Sequence, residues 1–172
     1  MFDDSISVVD LEDPDELARI SLGPSAELSK QDRGELLFFD ARLSHDSWMS
    51  CHSCHTDGHS NNRLADTPGD GGYGNAKRVP TLLGTVDTAP WGWTGSQKTL
   101  VGQLGMSLAT TMHTPSLPDR TAADLAAYLN SLSPAPSLAA ARLDSDEVPS
   151  KAGEVVFRSA GCVECHSGKR YT

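Results

Sequence analysis

Apolar residues recur at helical spacing in the first third of the chain. Ser29 is a favourable N-cap, and Asp32, three residues further on, is a capping-box partner. Together they predict a helix over residues 30–40, in which Leu36, Leu37 and Phe38 or Phe39 face a core. This helix runs towards the chain's first cysteine pair and is expected to pack beside it.

Two later stretches show the same period. Leu100, Leu104 and Leu108 predict a helix over residues 98–112. Thr121 is the predicted N-cap of another helix, with Asp124 as its capping-box partner and an end before Pro134. Its predicted apolar stripe is Leu125, Tyr128, Leu129 and Leu132.

The N-terminal residues follow a different pattern. Residues 5–9 alternate and are rich in β-branched side chains, and residues 17–22, before Gly23-Pro24, are a second candidate strand. This pattern predicts a β-hairpin and resembles one edge of a YVTN-type β-propeller blade. An irregular N-terminal arm is the open alternative.

A short sequence repeat links the two ends of the chain. Residues 34–38 read G-E-L-L-F and residues 153–157 read G-E-V-V-F, and each precedes a C-x-x-C-H pentapeptide. The second copy predicts a helix over residues 150–160 that ends at Gly161. The chain therefore contains a repeated unit of a helix followed by a cysteine motif.

The two pentapeptides have the attachment signature of a c-type haem. Their residues are Cys51, Cys54 and His55 in the first and Cys162, Cys165 and His166 in the second. Two thiols one turn apart suit the two vinyl groups of one porphyrin, and the histidine that follows is placed to ligate the iron. We therefore predict two covalent haem c sites, in which His55 and His166 are proximal iron ligands.

Two other uses of the cysteines remain open on spacing alone. The four cysteines form two C-x-x-C pairs, which is the ligand set of one structural zinc site. Zinc does not require a histidine after each pair. Paired disulfides are the second alternative, although a two-residue gap suits a redox pair better than a structural bridge.

Composition narrows the classes of partner. The chain has 172 residues, 38% of them hydrophobic, and a net charge of −9. No basic patch is visible, so nucleic-acid binding is not expected, and a redox partner protein or small electron carrier fits better. No apolar run is long enough for a membrane span.

The two ends indicate an excerpt of a longer protein. Met1 to Asp4 have neither the basic region nor the apolar core of a signal peptide, whereas haem c is attached outside the cytoplasm. The chain stops six residues after His166, too few to close a haem pocket. We expect a periplasmic or otherwise extracytoplasmic location.

Residues 56–77 are polar and glycine-rich, and we expect a long loop around the haem edge. Its oxygen-bearing side chains are candidate Ca²⁺ ligands, and an ordinary solvated loop is the favoured alternative. The candidates are Asp57, Asn61, Asn62, Asp66 and Asp70.

Several motifs resemble the N-terminal haem domain of bacterial di-haem cytochrome c peroxidases and of their relative that matures tryptophan tryptophylquinone. They are residues 33–44, residues 50–55, the run Arg78-Val79-Pro80-Thr81-Leu82-Leu83-Gly84, the run Trp93-Thr94-Gly95, Leu100 and Gln103. The resemblance covers roughly residues 30–115. Residues 150–172 resemble the opening of the family's second haem domain, and the propeller-like N-terminus resembles propeller-fused members.

The resemblance implies a mainly α-helical, cytochrome c-like fold with long loops. We expect an N-terminal arm over residues 1–26 and a first haem domain over residues 27–136. A linker over residues 137–149 and a truncated second haem domain over residues 150–172 follow.

The resemblance also implies individual roles. Trp93 matches a tryptophan between the two haems, an electron bridge, and Gln103 matches a glutamine near the distal face of the peroxidatic haem. The family's catalytic glutamate precedes a methionine at the position of Met112, but here that residue is Thr111. A threonine cannot serve as the carboxylate acid or base that splits a peroxide.

The far side of the first iron is left with several candidate ligands. Met112 is the preferred one, and Met106, His59 and His113 are the others. A methionine ligand would give a closed electron-transfer haem. The favoured function is therefore electron transfer by a c-type cytochrome domain. The alternatives are a peroxidase or oxidase that reduces hydrogen peroxide, and a zinc-stapled interaction module.

Overall fold

The computed structural model of this chain describes residues 4–12, 16–24, 26–116, 120–137, 148–167 and 171. The first helix, α1 (Lys30–Phe39), begins where the sequence predicts. Ser29 Oγ accepts from the Asp32 backbone N–H at 3.1 Å, and the Asp32 carboxylate accepts from the Ser29 N–H at 2.9 Å. The predicted capping box is confirmed, and it satisfies backbone donors that the helix leaves unpaired.

The short helix α2 (Cys51–Cys54) holds the first cysteine motif, and two longer helices follow. Helix α3 (Leu100–Thr110) begins at Thr99, whose Oγ1 accepts from the Gly102 N–H at 3.0 Å.

Helix α4 (Thr121–Ser131) corrects one prediction. Arg120, rather than Thr121, is its N-cap residue and makes no side-chain capping bond. The predicted capping box does not form, because the Asp124 carboxylate binds Arg33 instead.

Helices α1 and α4 cross in close contact. A Cβ added to Gly34 would lie 2.0 Å from the Asp124 carbonyl oxygen and 2.8 Å from Tyr128 Cβ, so only glycine fits at the crossing. One turn later, the Phe38 ring lies 5.2 Å from the Tyr128 ring. This crossing buries Phe38 and packs Leu37 against the core, whereas Leu36, which was predicted to face the core, is exposed.

An ion pair fixes the same crossing. Arg33 Nε and Nη2 donate to the two Asp124 carboxylate oxygens at 2.8 and 3.1 Å, and Arg33 Nη1 donates to the Leu28 carbonyl at 2.7 Å. The Asp124 side chain is only 3% exposed. The Arg33 guanidinium holds the pKa of Asp124 below its ordinary value.

The core also receives α3 and the segment before the first motif. The predicted apolar stripe of α4 is confirmed: Leu125, Tyr128 and Leu129 are buried, and Leu132 packs against them. The other buried apolar residues of this cluster are Phe38, Leu43, Leu100, Leu108, Met112 and Ala126.

The N-terminal residues form the predicted hairpin. Strand β1 (Ser5–Val9) pairs antiparallel with β2 (Glu16–Ser21), with Ile6 opposite Ile20. Both isoleucines remain about half exposed. The likeness to a propeller-blade edge stays a prediction.

The segment after the first motif is not one continuous loop. Strand β3 (Leu64–Ala65) pairs with β4 (Lys77–Arg78), and the 3₁₀ turn Pro68–Asp70 lies between them. Trp91 and Gln97 then form an isolated antiparallel bridge around the turn that holds Trp93. These short elements bring residues distant in sequence towards α3.

Helix α5 (Val148–Ser159) begins slightly before its predicted start, and Gly161 after it has a φ of +78°, the left-handed conformation expected at a helix end. The 3₁₀ turn Cys162–Glu164 follows. Most of the predicted linker lies outside the described residues, and the proposed domain boundaries stay predictions. Within the described part of the chain, every helix is too short or too polar to cross a bilayer.

Candidate functional site

The first cysteine motif is a single helical turn with a histidine at its end. Cys51 and Cys54 are the first and last residues of α2, and the His55 backbone N–H donates to the Cys51 carbonyl at 2.9 Å. The Ser50 N–H donates to Ser53 Oγ at 3.0 Å, which fixes the start of the turn. The two thiols are partly buried and form no disulfide.

The His55 side chain is oriented by a residue distant in sequence. His55 Nδ1 lies 3.0 Å from the Pro80 carbonyl oxygen. Because a carbonyl only accepts, Nδ1 carries the proton and Nε2 keeps its lone pair, which is the tautomer of an iron-ligating histidine. Burial lowers the pKa of His55, so the imidazole stays neutral near pH 7. The sequence contained Pro80 among the matched residues but gave no signal for this contact.

The chain after His55 folds back over the motif. The Asn61 N–H donates to the Cys54 carbonyl at 2.9 Å, and Asn61 Nδ2 donates to the Ser53 carbonyl at 3.1 Å. The Leu82 N–H donates to the Gly58 carbonyl at 2.9 Å. These bonds hold the Pro80 segment beside the His55 ring.

The thiols are in apolar surroundings. Burial raises the pKa of Cys51 to about 11 and also raises the pKa of Cys54, so both remain protonated at neutral pH. In the described ranges, no three His, Cys, Asp or Glu side chains meet in a metal-binding group.

The second motif repeats the local geometry of the first in a more open setting. The His166 backbone N–H donates to the Cys162 carbonyl at 2.9 Å, and His166 Nδ1 lies 3.1 Å from the Tyr171 carbonyl oxygen. The rings of His166 and Phe157 lie 6.3 Å apart. Cys162 and Cys165 are exposed, unlike the first pair.

Gln103, in α3, lies close to the turn that holds Trp93. Gln103 Nε2 donates to Ser107 Oγ at 3.1 Å, while its Oε1 is buried and finds no donor among the described residues. A Cβ on Gly92, the residue before Trp93, would lie 3.0 Å from that Oε1. The predicted distal glutamine is therefore next to the turn that holds Trp93, with an acceptor atom unused.

Met112 is 5% exposed and belongs to the apolar core, against which Cys51 also packs. Its carbonyl accepts from the His45 N–H at 2.9 Å. Among the other candidates, Met106 accepts a hydrogen bond at its sulfur from Gln97, whereas His59 and His113 are exposed. The role of Met112 as iron ligand stays a prediction.

A surface groove of about 510 Å³ lies near the Met112 end of the fold. Three of the residues around it precede the first cysteine motif and one follows Met112. They are His45, Asp46, Trp48 and His113. The sequence analysis did not predict this groove.

The candidate Ca²⁺ ligands do not assemble into a site. Each of them has a different partner, and in the described ranges they form no cluster of three carboxylates. The partners are His52 for Asp57, Ser53 for Asn61, Arg78 for Asn62, Gly74 for Asp66 and Lys77 for Asp70.

The family model described as di-haem cytochrome c peroxidase matches residues 29–141. The chain belongs to this family. The match spans α1, the first cysteine motif, α3 and α4, so the resemblance read from the sequence is confirmed. The mainly helical fold expected from it is also confirmed.

Two curated proteins are similar to this chain. Cytochrome c551 peroxidase of Pseudomonas aeruginosa is 28% identical over 121 residues, which are 68% of this chain and 35% of that protein. The methylamine utilization protein MauG of Methylophilus methylotrophus is 33% identical over 85 residues, which are 48% of this chain and 25% of that protein. The chain thus spans about a third or less of the length of either relative.

A solved structure gives the same fold. A chain of Kuenenia stuttgartiensis hydrazine synthase, from a crystal pressurized with xenon, matches with a TM-score of 0.62 at 22% identity. The match covers 91% of this chain and 61% of that chain. It therefore includes most of the elements described above.

The residues of both motifs fit the haem that the family name implies. Each offers two thiols within about one turn and an imidazole whose Nδ1 is engaged, which leaves Nε2 for iron.

Proposed function

We propose that this chain is a cytochrome c domain that holds two covalent haem c groups and transfers electrons. Cys51 and Cys54 hold the first group as thioethers and His55 ligates its iron, while Cys162, Cys165 and His166 do the same for the second. The observation that carries the proposal is shared by both motifs. In each, the histidine Nδ1 faces a backbone carbonyl, at 3.0 Å in the first and 3.1 Å in the second.

The chain's own groups then do three things. The thiols fix the porphyrin, the Pro80 and Tyr171 carbonyls hold the imidazoles in the ligating tautomer, and the apolar core excludes water from the first site. When bound, haem supplies an iron that accepts and releases one electron. Met112, buried at the end of α3, is the proposed second axial ligand of the first iron.

Haem content tests this proposal directly. The chain is produced in the periplasm with a haem-attachment system, and its pyridine haemochrome spectrum is measured. We expect two haems per chain, and one in the double variant Cys51→Ala/Cys54→Ala. A chain without a c-type haemochrome, from cells that load another cytochrome normally, would overturn it.

Electron transfer is preferred to peroxide reduction because of Thr111. Its hydroxyl replaces the carboxylate expected there and, because it does not ionise near neutral pH, cannot serve as the general acid or base. In the structure Thr111 caps the end of α3, and its N–H donates to the Ser107 carbonyl at 3.0 Å. Trp93 serves in this proposal as the electron bridge between the haems.

Changing Thr111→Glu supplies the missing carboxylate. If electron transfer is the function, the haem-loaded wild type shows a low-spin ferric spectrum that hydrogen peroxide leaves unchanged. Peroxide reactivity is then gained only when Thr111→Glu is combined with Met112→Ala, which frees the far side of the iron. Thr111→Gln, of the same shape without the charge, is the control. A high-spin wild type that reacts with peroxide would contradict the preference.

Peroxide reduction is the second candidate, and Gln103 favours it. Its buried Oε1 has no donor among the described residues and is available to a small polar molecule. The name of the Pseudomonas aeruginosa relative also points to this activity. Peroxide turnover by the full-length protein after half-reduction would support it, and Gln103→Leu should then abolish that turnover.

A location outside the cytoplasm follows from the proposed haem attachment. The net charge of −9 suits a basic redox partner protein, and a small electron carrier is the alternative. Electron exchange with a basic partner should weaken as salt is raised, whereas exchange with a neutral carrier should not.

A further inference from the structure

A half-buried ion pair lies against the exposed indole of Trp93. Lys77, in β4, places its Nζ 5.7 Å from the centroid of the Trp93 ring. The same Nζ donates to Asp70 Oδ2 and, at 2.8 Å, to the Asn75 carbonyl. The ammonium is therefore fixed over the indole by two hydrogen bonds, rather than free to leave the ring.

The carboxylate partner is held at the same place. Asp70 ends the 3₁₀ turn Pro68–Asp70, and a Cβ on the preceding Gly69 would lie 3.6 Å from Trp93 Cδ1. The side chains of Asp70 and Lys77 are only 16% and 23% exposed. The turn and the lysine thus contact the indole together.

The Asp70 carboxylate is ionised near neutral pH. Lys77 holds the pKa of the Asp70 carboxyl below its ordinary value. Lys77 Nζ donates to Oδ2 of this carboxylate. The other oxygen, Oδ1, is buried and finds no donor among the described residues. The pair is partly shielded from solvent, while Trp93 is 48% exposed, so water screens part of the field that the pair exerts at the ring.

An ammonium over an aromatic face acts oppositely on the two redox states of the ring. It attracts the neutral indole through the ring quadrupole and repels the radical cation that forms when one electron leaves. The carboxylate has the opposite effect and partly offsets the ammonium.

We propose that the Lys77–Asp70 pair sets how readily Trp93 loses an electron, with Lys77 making oxidation harder and Asp70 making it easier. Both are positioning residues, since they act through Trp93. This extends the proposed function, on which its physiological meaning rests. With Lys77 in place, Trp93 conducts electrons between the haems without itself becoming oxidised.

Photochemical oxidation of Trp93 in the haem-loaded chain tests the proposal. A ruthenium(III) polypyridyl complex, generated by a laser flash with a quencher, accepts one electron from the indole, which then loses its Nε1 proton to water. All variants carry Trp48→Phe, which removes a tryptophan more exposed than Trp93. The double variant Trp48→Phe/Trp93→Phe gives the signal that does not come from Trp93. Transient absorption of the tryptophan radical is the readout.

Lys77→Met should raise the yield of the Trp93 radical about tenfold, because the repulsive charge is gone and Asp70 remains. Lys77→Arg keeps the charge and should leave the yield near the wild-type value. Asp70→Asn should lower it. Equal yields in the Met and Arg variants, or a higher yield in Asp70→Asn, would overturn the proposal.

Two further measurements separate the effect of Lys77 on Trp93 from a structural effect of the variants and from the bridge role of Trp93. Unchanged haem spectra and thermal unfolding midpoints exclude a merely structural effect of the variants. Electron exchange between the two haems is measured separately. If Trp93→Phe leaves that exchange unchanged, the bridge role in the proposed function fails, while the effect of Lys77 on radical yield is judged by its own result.

Discussion

The two C-x-x-C-H units have the same local geometry and different surroundings. In both, the histidine N–H donates to the first cysteine's carbonyl at 2.9 Å, and the imidazole Nδ1 faces a backbone carbonyl. Yet Gly34 in the first unit contacts α4 closely, whereas an added Cβ on the matching Gly153 would meet nothing within 4 Å. Phe38 is fully buried, and the matching Phe157 is only partly so.

This difference separates what the motif itself determines from what its packing adds. The turn and the hydrogen bond from the histidine N–H to the first cysteine's carbonyl depend on neighbouring residues, so both units form them. The His55 tautomer instead depends on the Pro80 carbonyl, 25 residues further along the chain. Burial of the thiols and of the aromatic anchor depends on a second helix, which the first unit has in α4. The account therefore predicts that perturbing equivalent residues has large effects in the first unit and small effects in the second.

The largest contrast is expected at the paired glycines. Gly34→Ala places a Cβ 2.0 Å from the Asp124 carbonyl oxygen, so α1 and α4 must move apart. We expect a loss of about 3 kcal/mol in the free energy of unfolding. Denaturant unfolding followed by circular dichroism measures it.

The matched control is Gly153→Ala. Space is open around Gly153, and alanine is the better helix former, so we expect a gain in α5 stability of about 0.5–1 kcal/mol. Similar losses in the two variants would show that the close crossing is not what distinguishes the units.

The second contrast concerns two arginine–carboxylate pairs. Asp124→Asn removes the charge partner of Arg33 at the α1–α4 crossing, where the carboxylate is almost fully buried, and should cost about 2 kcal/mol. Glu154→Gln breaks the exposed Arg158–Glu154 pair within α5 and should change stability little. Thermal unfolding midpoints compare the two.

The Asp124 effect has a defined pH dependence. Arg33 lowers the pKa of Asp124 in the folded chain, so the ionised carboxylate stabilises the fold above its unfolded pKa of about 3.9. That stability is lost as pH falls below about 4 towards the lower folded pKa. The difference between wild type and Asp124→Asn should therefore shrink in acid, and a difference that grows there would contradict the assignment.

The third contrast is thiol reactivity in the haem-free chain. Cys51 is buried with a pKa raised to about 11, whereas Cys162 and Cys165 are exposed. Iodoacetamide at pH 8 should label the second pair at least about tenfold faster than Cys51, because the thiolate is the reacting form. Peptide mass spectrometry resolves the labelled sites. If Cys51 were labelled at the same rate in the native chain as in the urea-unfolded chain, the packing difference would be refuted.

Sequence reasoning succeeded where a short stretch of chain decides the outcome. The Ser29–Asp32 capping box, the N-terminal hairpin, the apolar stripe of α4 and the left-handed Gly161 all depend on nearby residues. The family resemblance also came from local runs whose order agreed.

Sequence reasoning failed where a distant partner competes for a side chain. Asp124 was assigned to a capping box at Thr121, but Arg33, 91 residues earlier, binds its carboxylate. Asp70 was named as one candidate calcium ligand beside the favoured solvated loop, and its pairing with Lys77 was not anticipated. The Pro80 carbonyl at His55 was not anticipated, because a backbone acceptor has no sequence signature.

The central claim is that both motifs hold haem, although among the described residues the helix of the first unit packs closely against α4 and the helix of the second has open space at its matching glycine. The intact mass of the periplasmically produced chain under denaturing conditions tests it most directly, because only covalent groups remain attached. The account predicts the chain mass plus two haems. A mass with one haem, mapped by peptide analysis to Cys51 and Cys54, would show that the second unit's local geometry is insufficient, and a mass with none would contradict the claim entirely.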